Sequence, residues 1–286
     1  MPPLPSRILG VLPLVLALTG CASHVPEGKS PLRPAQMSDD SVVLEMFFVR
    51  FPFGDPGVNG ALWQEIDEQH FPAELRGRLW RNGFRIGLID GQIPTALSQL
   101  MQLEDKPPPT GATQQTLIAD GQSEPPLRRH LQIRAGCRGE IVASDEYGQL
   151  PVLLCEEGQV SGQTYCKAQG VLTVKTFPQH DGRVRVELVP ELHHDEWRQR
   201  WVGQQGMFRL EPGRPRRVFE EMRISAMLAP GNMLILSSLP NLPGSLGHHF
   251  FTDDTGHLEQ KLLLVRLAQT QHDGLFTPPE VLDLEQ

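Results

Sequence analysis

The dipeptide Asp181-Gly182 stands between two runs of strand-like sequence, and that arrangement limits what the chain can become. Upstream lies Val171–Phe177; downstream lies Arg183-Val184-Arg185-Val186-Glu187-Leu188-Val189. In the second run Val184, Val186 and Leu188 share one face, and Arg183, Arg185 and Glu187 share the other. Strand side chains alternate between faces, so the run predicts a half-buried strand, and Asp-Gly suits a tight hairpin turn. Leu131, Ile133, Ile141 and Val142 sit in β-prone runs, as do Pro151–Cys155, Arg217–Leu228, Met233–Leu239 and Lys261–Ala268. Ala229-Pro230-Gly231-Asn232 reads as a turn, and no convincing helix interrupts the series. Residues 127–275 are therefore predicted to form an antiparallel β domain, with 276–286 as a tail.

The preceding stretch has a different grammar. Val42–Phe51 is almost uninterrupted apolar sequence around Glu45, the pattern of a strand buried on both faces. Leu62, Ile66 and Gln69 share a helical face, and Pro72 opens a second helix over Ala73–Arg81 that Asn82-Gly83 stops. Phe84–Ile89 is a short strand, and Pro94 begins a helix through Leu103 striped by Leu97, Leu100 and Met101. The order strand, helix, strand, helix predicts a small α+β unit over 42–104, and α+β as the fold class of the whole. Between the two parts, 105–126 contains Pro107-Pro108-Pro109 and Pro125-Pro126, a linker or long loop.

At the start of the chain Arg7 precedes the apolar run Ile8–Leu18, which is shorter than the ~20 residues a spanning helix needs. A basic start, an apolar middle and small residues at the end form the layout of a secretory signal. The run closes on Leu18-Thr19-Gly20-Cys21, which resembles the lipobox of bacterial lipoproteins. That resemblance implies removal of 1–20 as a signal peptide and acylation of Cys21, which makes membrane lipid a partner. Residues 21–41, with Pro26, Pro31 and Pro34, would then be a Pro-rich tether. Ala22 in place of Asp after the Cys implies the outer membrane, facing the periplasm, within the cell envelope. An ordinary signal peptide with an accidental Cys is the alternative. In an oxidising compartment Cys155 and Cys166, flanking the turn-rich 156–162, are the candidate disulfide pair. Three separate thiols, Cys137 included, are the alternative.

Charge and motifs exclude several function classes. The 26 basic and 34 acidic residues give a formal charge of −8, so the chain lacks the basic footprint of a nucleic-acid binder. Gly244-Ser245-Leu246-Gly247 lacks the spacing of a nucleophile elbow, and no phosphate-cradling glycine loop is present. His193-His194-Asp195-Glu196, His248-His249 and His257 could gather as metal ligands, but neighbours on an extended segment point to opposite faces. No metal, cofactor, catalytic residue or small-molecule substrate is assigned, and the chain is not read as an enzyme. Trp197 and Trp201 fit one face of a helical turn packed on the β domain, with an exposed contact patch as the alternative, and Arg214, Arg216 and Arg217 a solvated basic loop, with an anionic lipid contact as the alternative.

The ordered series of strands resembles the C-terminal core of the secretin family, the ring-forming outer-membrane channels of secretion and pilus machines. The residues that carry it are Val43-Leu44-Glu45-Met46-Phe47-Phe48-Val49, Gly170–Val174, Asp181–Glu191 with its apolar-Pro-acidic close, and Pro230–Leu236. Leu246–Phe251 and Lys261–Val265 resemble the family's closing elements. Ser237-Ser238 replaces the family's Gly-Gly, the preceding ring-building modules are reduced to one unit, and no clean lipid-facing hairpin is found. The resemblance implies a non-catalytic scaffold or assembly component that pairs strands with copies of itself or with secretion-channel proteins. Its pairing surface is expected at 171–177, 183–189, 217–228 and 233–239. The topology to look for is a mixed sheet in which the strand at 42–51 pairs with the late strands near 261–268. A tethered ligand- or protein-binding module is the competing reading.

Overall fold

The computed structural model describes residues 41–101, 127–204, 207–254 and 256–269. Cys21, the tether up to residue 40, the loop expected over 105–126 and the tail over 276–286 lie outside them. Strand β1 (Ser41–Pro52) leads into a π-helical turn at Gly57–Leu62, helix α1 (Ala73–Arg81), β2 (Phe84–Ile89) and α2 (Thr95–Leu100). Then come β3 (Leu127–Arg134), β4 (Gly139–Val142), β5 (Tyr147–Glu156), β6 (Gln159–Pro178) and β7 (Val184–His193). These are followed by β8 (Arg198–Gln204), β9 (Met207–Gly213), β10 (Arg216–Val218) and β11 (Ile224–Leu228). The last elements are β12 (Met233–Ser238), α3 (Leu246–Phe251), β13 (Thr252–Asp254) and β14 (Leu258–Gln269). The fold is α+β and mainly antiparallel sheet.

One sheet runs β2-β12-β14-β1-β3, with β13 also on β14; a second runs β10-β7-β6-β4, with β11 on β7 and β5 on β6. A hairpin, β8-β9, stands apart from both. β1 and β14 pair over ten rungs from Val43↔Gln269 to Pro52↔Glu259, so the expected meeting of 42–51 with 261–268 is present. The sheet is not mixed, however: these ladders are antiparallel, and the described parallel pairing is an isolated bridge, Leu153↔Ser245. β1 and β2, from the stretch read as 42–104, share this sheet with β3, β12 and β14 from the stretch read as 127–275. The two stretches are thus bound together by backbone hydrogen bonds.

The burial explains the sequence patterns. Val42, Leu44, Met46 and Phe48 face the space between the two sheets, with Leu234, Leu236, Leu263 and Val265 beside them. Phe47, Val49 and Phe51 face the other way, beneath Leu62, Trp63, Ile66 and Leu97. A strand covered on both faces must be apolar at every position, which is why β1 shows no alternation. β7 keeps Val184, Val186 and Leu188 fully buried, as its alternation predicts. The helix through Gln69 ends early, because the chain turns so that Ile66 lies over Gly87, where a Cβ would sit 2.2 Å from Ile66 Cγ2.

Two expectations after residue 127 are corrected. Arg217–Leu228 is not one strand: a 3₁₀ turn at Glu220–Met222 separates β10 from β11. Phe219 and Met222 are both buried, and three-residue spacing brings them to one side only if the chain turns helically between them. A helix does occur in this region, α3, whose Leu246, Phe250 and Phe251 are buried at helical spacing. Nor do Trp197 and Trp201 lie on a helical turn. Trp201 is within β8, and Trp197, just before it, is 70% exposed.

Candidate interaction surface

An interior strand uses both of its backbone rows on neighbours, whereas an outer strand leaves one row open. β6, β7 and β12 are interior, so 171–177, 183–189 and 233–239 are already paired within the molecule. Of the surface expected from sequence, only 217–228 stays outermost, as β10 and β11. Among the described residues the other outer strands of the two larger sheets are β2, β3, β4, β5 and β13, and both strands of the β8–β9 hairpin are outer as well. β2 is partly covered, since Asp67 and Leu88 exchange two backbone hydrogen bonds of 3.0 Å. Leu153 N on β5 donates to Gly244 O at 2.8 Å. β3 is the most exposed, with Leu127, Arg128, Arg129 and His130 all open to solvent on both faces.

The β5–β6 hairpin projects from the second sheet. Its two-residue loop is Glu157 at φ 50° and Gly158 at φ 83°, the paired positive values of a type I′ turn. Leu150, Val152, Leu154 and Tyr165 pack inward, whereas Leu153 and Val160 are 49% and 69% exposed. Asn82, read from sequence only as a helix stop, fastens the hairpin. Its Oδ1 accepts from Cys155 N at 2.8 Å, and its Nδ2 donates to Cys155 O at 3.0 Å. The candidate disulfide does not form: both cysteines are free, as is Cys137. Cys155 faces Val160, but Cys166 faces Gln149, six residues along β5, or about 20 Å at strand rise. A bridge tolerates Cα separations only up to roughly 7 Å.

Charged side chains pin the strands together. Glu45, only 2% exposed at its side chain, accepts from Arg128 of β3 and Arg266 of β14, with His130 Nε2 at 3.4 Å. Burial alone would raise this carboxyl, but the two guanidiniums outweigh it and hold it below the usual carboxylate value. Lys261, buried between the sheets, donates to Ala143 O at 2.8 Å and Asp253 Oδ1 at 2.9 Å, so it ties β14 to the second sheet. A cavity of about 380 Å³ opens here, lined by Arg50, Arg129, Ser144, Asp145, Asp253 and Lys261. Glu191 takes a bidentate pair from Arg138, both at 2.7 Å, and lies 3.1 Å from His193. In sequence Glu45 stood out as an interruption in an apolar run, Glu191 as the acidic close of 181–191 and His193 as a metal-ligand candidate, but none of their partners was visible.

Most of the remaining sequence candidates have structural partners. Arg214, Arg216 and Arg217 do not form a solvated loop. They pair with Glu146 at 2.8 Å, Glu191 at 3.9 Å and Glu156 at 2.6 Å. His194 lies 3.0 Å from Asp195, and His249 Nε2 lies 2.9 Å from Pro151 O. Ser245 Oγ donates to Leu242 O at 2.7 Å and accepts from His248 N, so this hydroxyl caps α3. Among the described residues no three His, Cys, Asp or Glu side chains gather as a metal-holding group, and no helix is long and apolar enough to cross a membrane.

No family profile matches the chain, and no characterised protein matches it in sequence. Among solved structures it is similar to the secretin-domain β-barrel of InvG from the Salmonella SPI-1 injectisome, at 12% identity and a TM-score of 0.22. The match covers 81% of the present chain, which spans only 61% of that one.

Proposed function

We propose that this chain is a non-catalytic scaffold of the cell envelope, anchored in the outer membrane through acylated Cys21, with a core related to that of the secretins. The observation that carries the reading is the antiparallel closure of β1 on β14, with β3 and β10–β11 outermost in their sheets among the described residues. The lipobox-like Leu18-Thr19-Gly20-Cys21 supplies the address. Copies of this chain, or secretion-channel proteins, would meet it at β3 or β10–β11 rather than at the interior strands. Sucrose-gradient fractionation, native mass measurement and negative-stain imaging test the proposal. The full chain is expected in the outer-membrane fraction and in assemblies, and Cys21→Ser in the soluble fraction. A uniform monomer with and without lipid would overturn the scaffold, and unchanged sedimentation of Cys21→Ser would overturn the anchor. The cavity beside Lys261 favours one second reading, a tethered binding module, which would leave the purified chain monomeric.

A further inference from the structure

β3 is an edge strand with an unusual charge. Leu127-Arg128-Arg129-His130-Leu131-Gln132-Ile133-Arg134 contains three arginines, one histidine and no acid. Glu45, the buried carboxylate beneath it, is shared between Arg128 and Arg266, so one negative charge faces two positive ones. The strand contains no proline, and its ladder to β1 runs without a register break from Ser41↔Arg134 to Phe48↔Leu127. Such an edge is a ready template for one more strand.

The chain itself carries a segment of matching chemistry. Residues 270–286 hold Asp273, Glu280, Asp283 and Glu285 and no lysine or arginine. After Pro278-Pro279, the acids of Glu280-Val281-Leu282-Asp283-Leu284-Glu285 are interleaved with aliphatic residues suited to a strand. The exit point is favourable as well. Gln269 at the end of β14, Val43 of β1 and Gln132 of β3 lie on one rung. With strands about 4.8 Å apart, the lane outside β3 is about 14 Å from that exit, and residues 270–279 reach about 33 Å when extended. β14 and β3 both run antiparallel to β1, so a chain that turns back after β14 travels antiparallel to β3, the favoured sense for pairing.

We infer that residues 280–285 add to β3 of the same molecule as a further antiparallel strand, with their carboxylates against the arginines of β3. The inference stands whether or not the scaffold reading holds, since it requires neither a lipid anchor nor a second subunit. It assigns β3 an occupant from within the chain and leaves β10–β11 as the edge open to other molecules.

Amide hydrogen exchange on the full chain tests it. The β3 amides that point away from β1 are expected to exchange at least about tenfold faster in the double variant Leu282→Pro with Leu284→Pro, while amides of β6 and β7 stay unchanged as a control for folding. The charge reversal Glu280→Lys, Asp283→Lys, Glu285→Lys is expected to lose the same protection, and Arg129→Glu with Arg134→Glu in that background to regain part of it. Protection should not change on dilution. Equal exchange in the native and proline variants would overturn the inference and leave β3 solvated or covered by something else. Protection that fades on dilution would also overturn it and assign the edge to another copy. A monomer in the native mass experiment would count against the scaffold alone.

Discussion

Glu45 shows how one side chain can fix the register of three strands. It accepts from β3 on one side and β14 on the other, so slipping either strand by one residue would turn the arginine to the opposite face. Glu45→Gln keeps the shape and removes the charge, and should lower stability by about 1–2 kcal/mol in urea titration, because both arginines remain partly solvated. Acid should act on the same groups. Burial alone would raise Glu191, but His193 and Arg138 outweigh it and hold the carboxyl well below its usual value. Folded values beneath an unfolded value of about 4.3 mean that the stabilisation by Glu45 and Glu191 is complete above that pH and is lost as pH falls through the folded values. Glu191→Gln should therefore flatten the fall in urea midpoint below about pH 4. Lys261→Met would remove one of the two cations that face Asp253, Arg50 Nη2 at 3.5 Å being the other, and should cost about 1–2 kcal/mol in the same titration.

At the level of single elements, the structure rewards periodicity and penalises its absence. α1 and β2 occupy the ranges their patterns predict, Ala73–Arg81 and Phe84–Ile89, because each presents a stripe that the core covers. α3 was illegible because Gly247 and two histidines dilute its stripe, and its seat depends on a distant loop. A Cβ on Gly247 would lie 2.2 Å from Gly83 O and 2.6 Å from Phe84 N, backbone atoms that cannot step aside. Gly247→Ala should cost about 3 kcal/mol, visible as a lowered melting temperature. The β5–β6 hairpin was legible as a hairpin but not in register, since register follows from the two-residue turn Glu157-Gly158. Glu156↔Gln159 closes that turn, so the next rung, Cys155↔Val160, is a closely spaced, non-hydrogen-bonded pair. Val160→Cys should bridge to Cys155 under mild oxidation while Cys166 still reacts with an alkylating agent, as peptide mass mapping would show. The pairings made by Lys261 and Glu191 left no trace in the sequence, because each joins residues that only the tertiary fold brings together.

Across the molecule, the partners of the early strands come from late in the sequence. β2 lies against β12, and β1 lies between β14 and β3. No local pattern announces such pairing: the meeting of 42–51 with 261–268 was expected as an overall topology, whereas the pairing of β2 with β12 and of β3 with β1 was not foreseen. Cutting the chain at a protease site placed within 105–126 should leave two fragments that co-elute in size exclusion and separate only on denaturation. The side-by-side position of Val43 near the start of β1 and Gln269 at the end of β14 also has a mechanical meaning. A pull between those two points would load the β1–β14 ladder one rung at a time, like a zipper, instead of shearing all rungs at once. The molecule should therefore yield at low force when drawn by its ends, and resist far more when gripped at Pro52 and Gln269, at opposite ends of the same ladder.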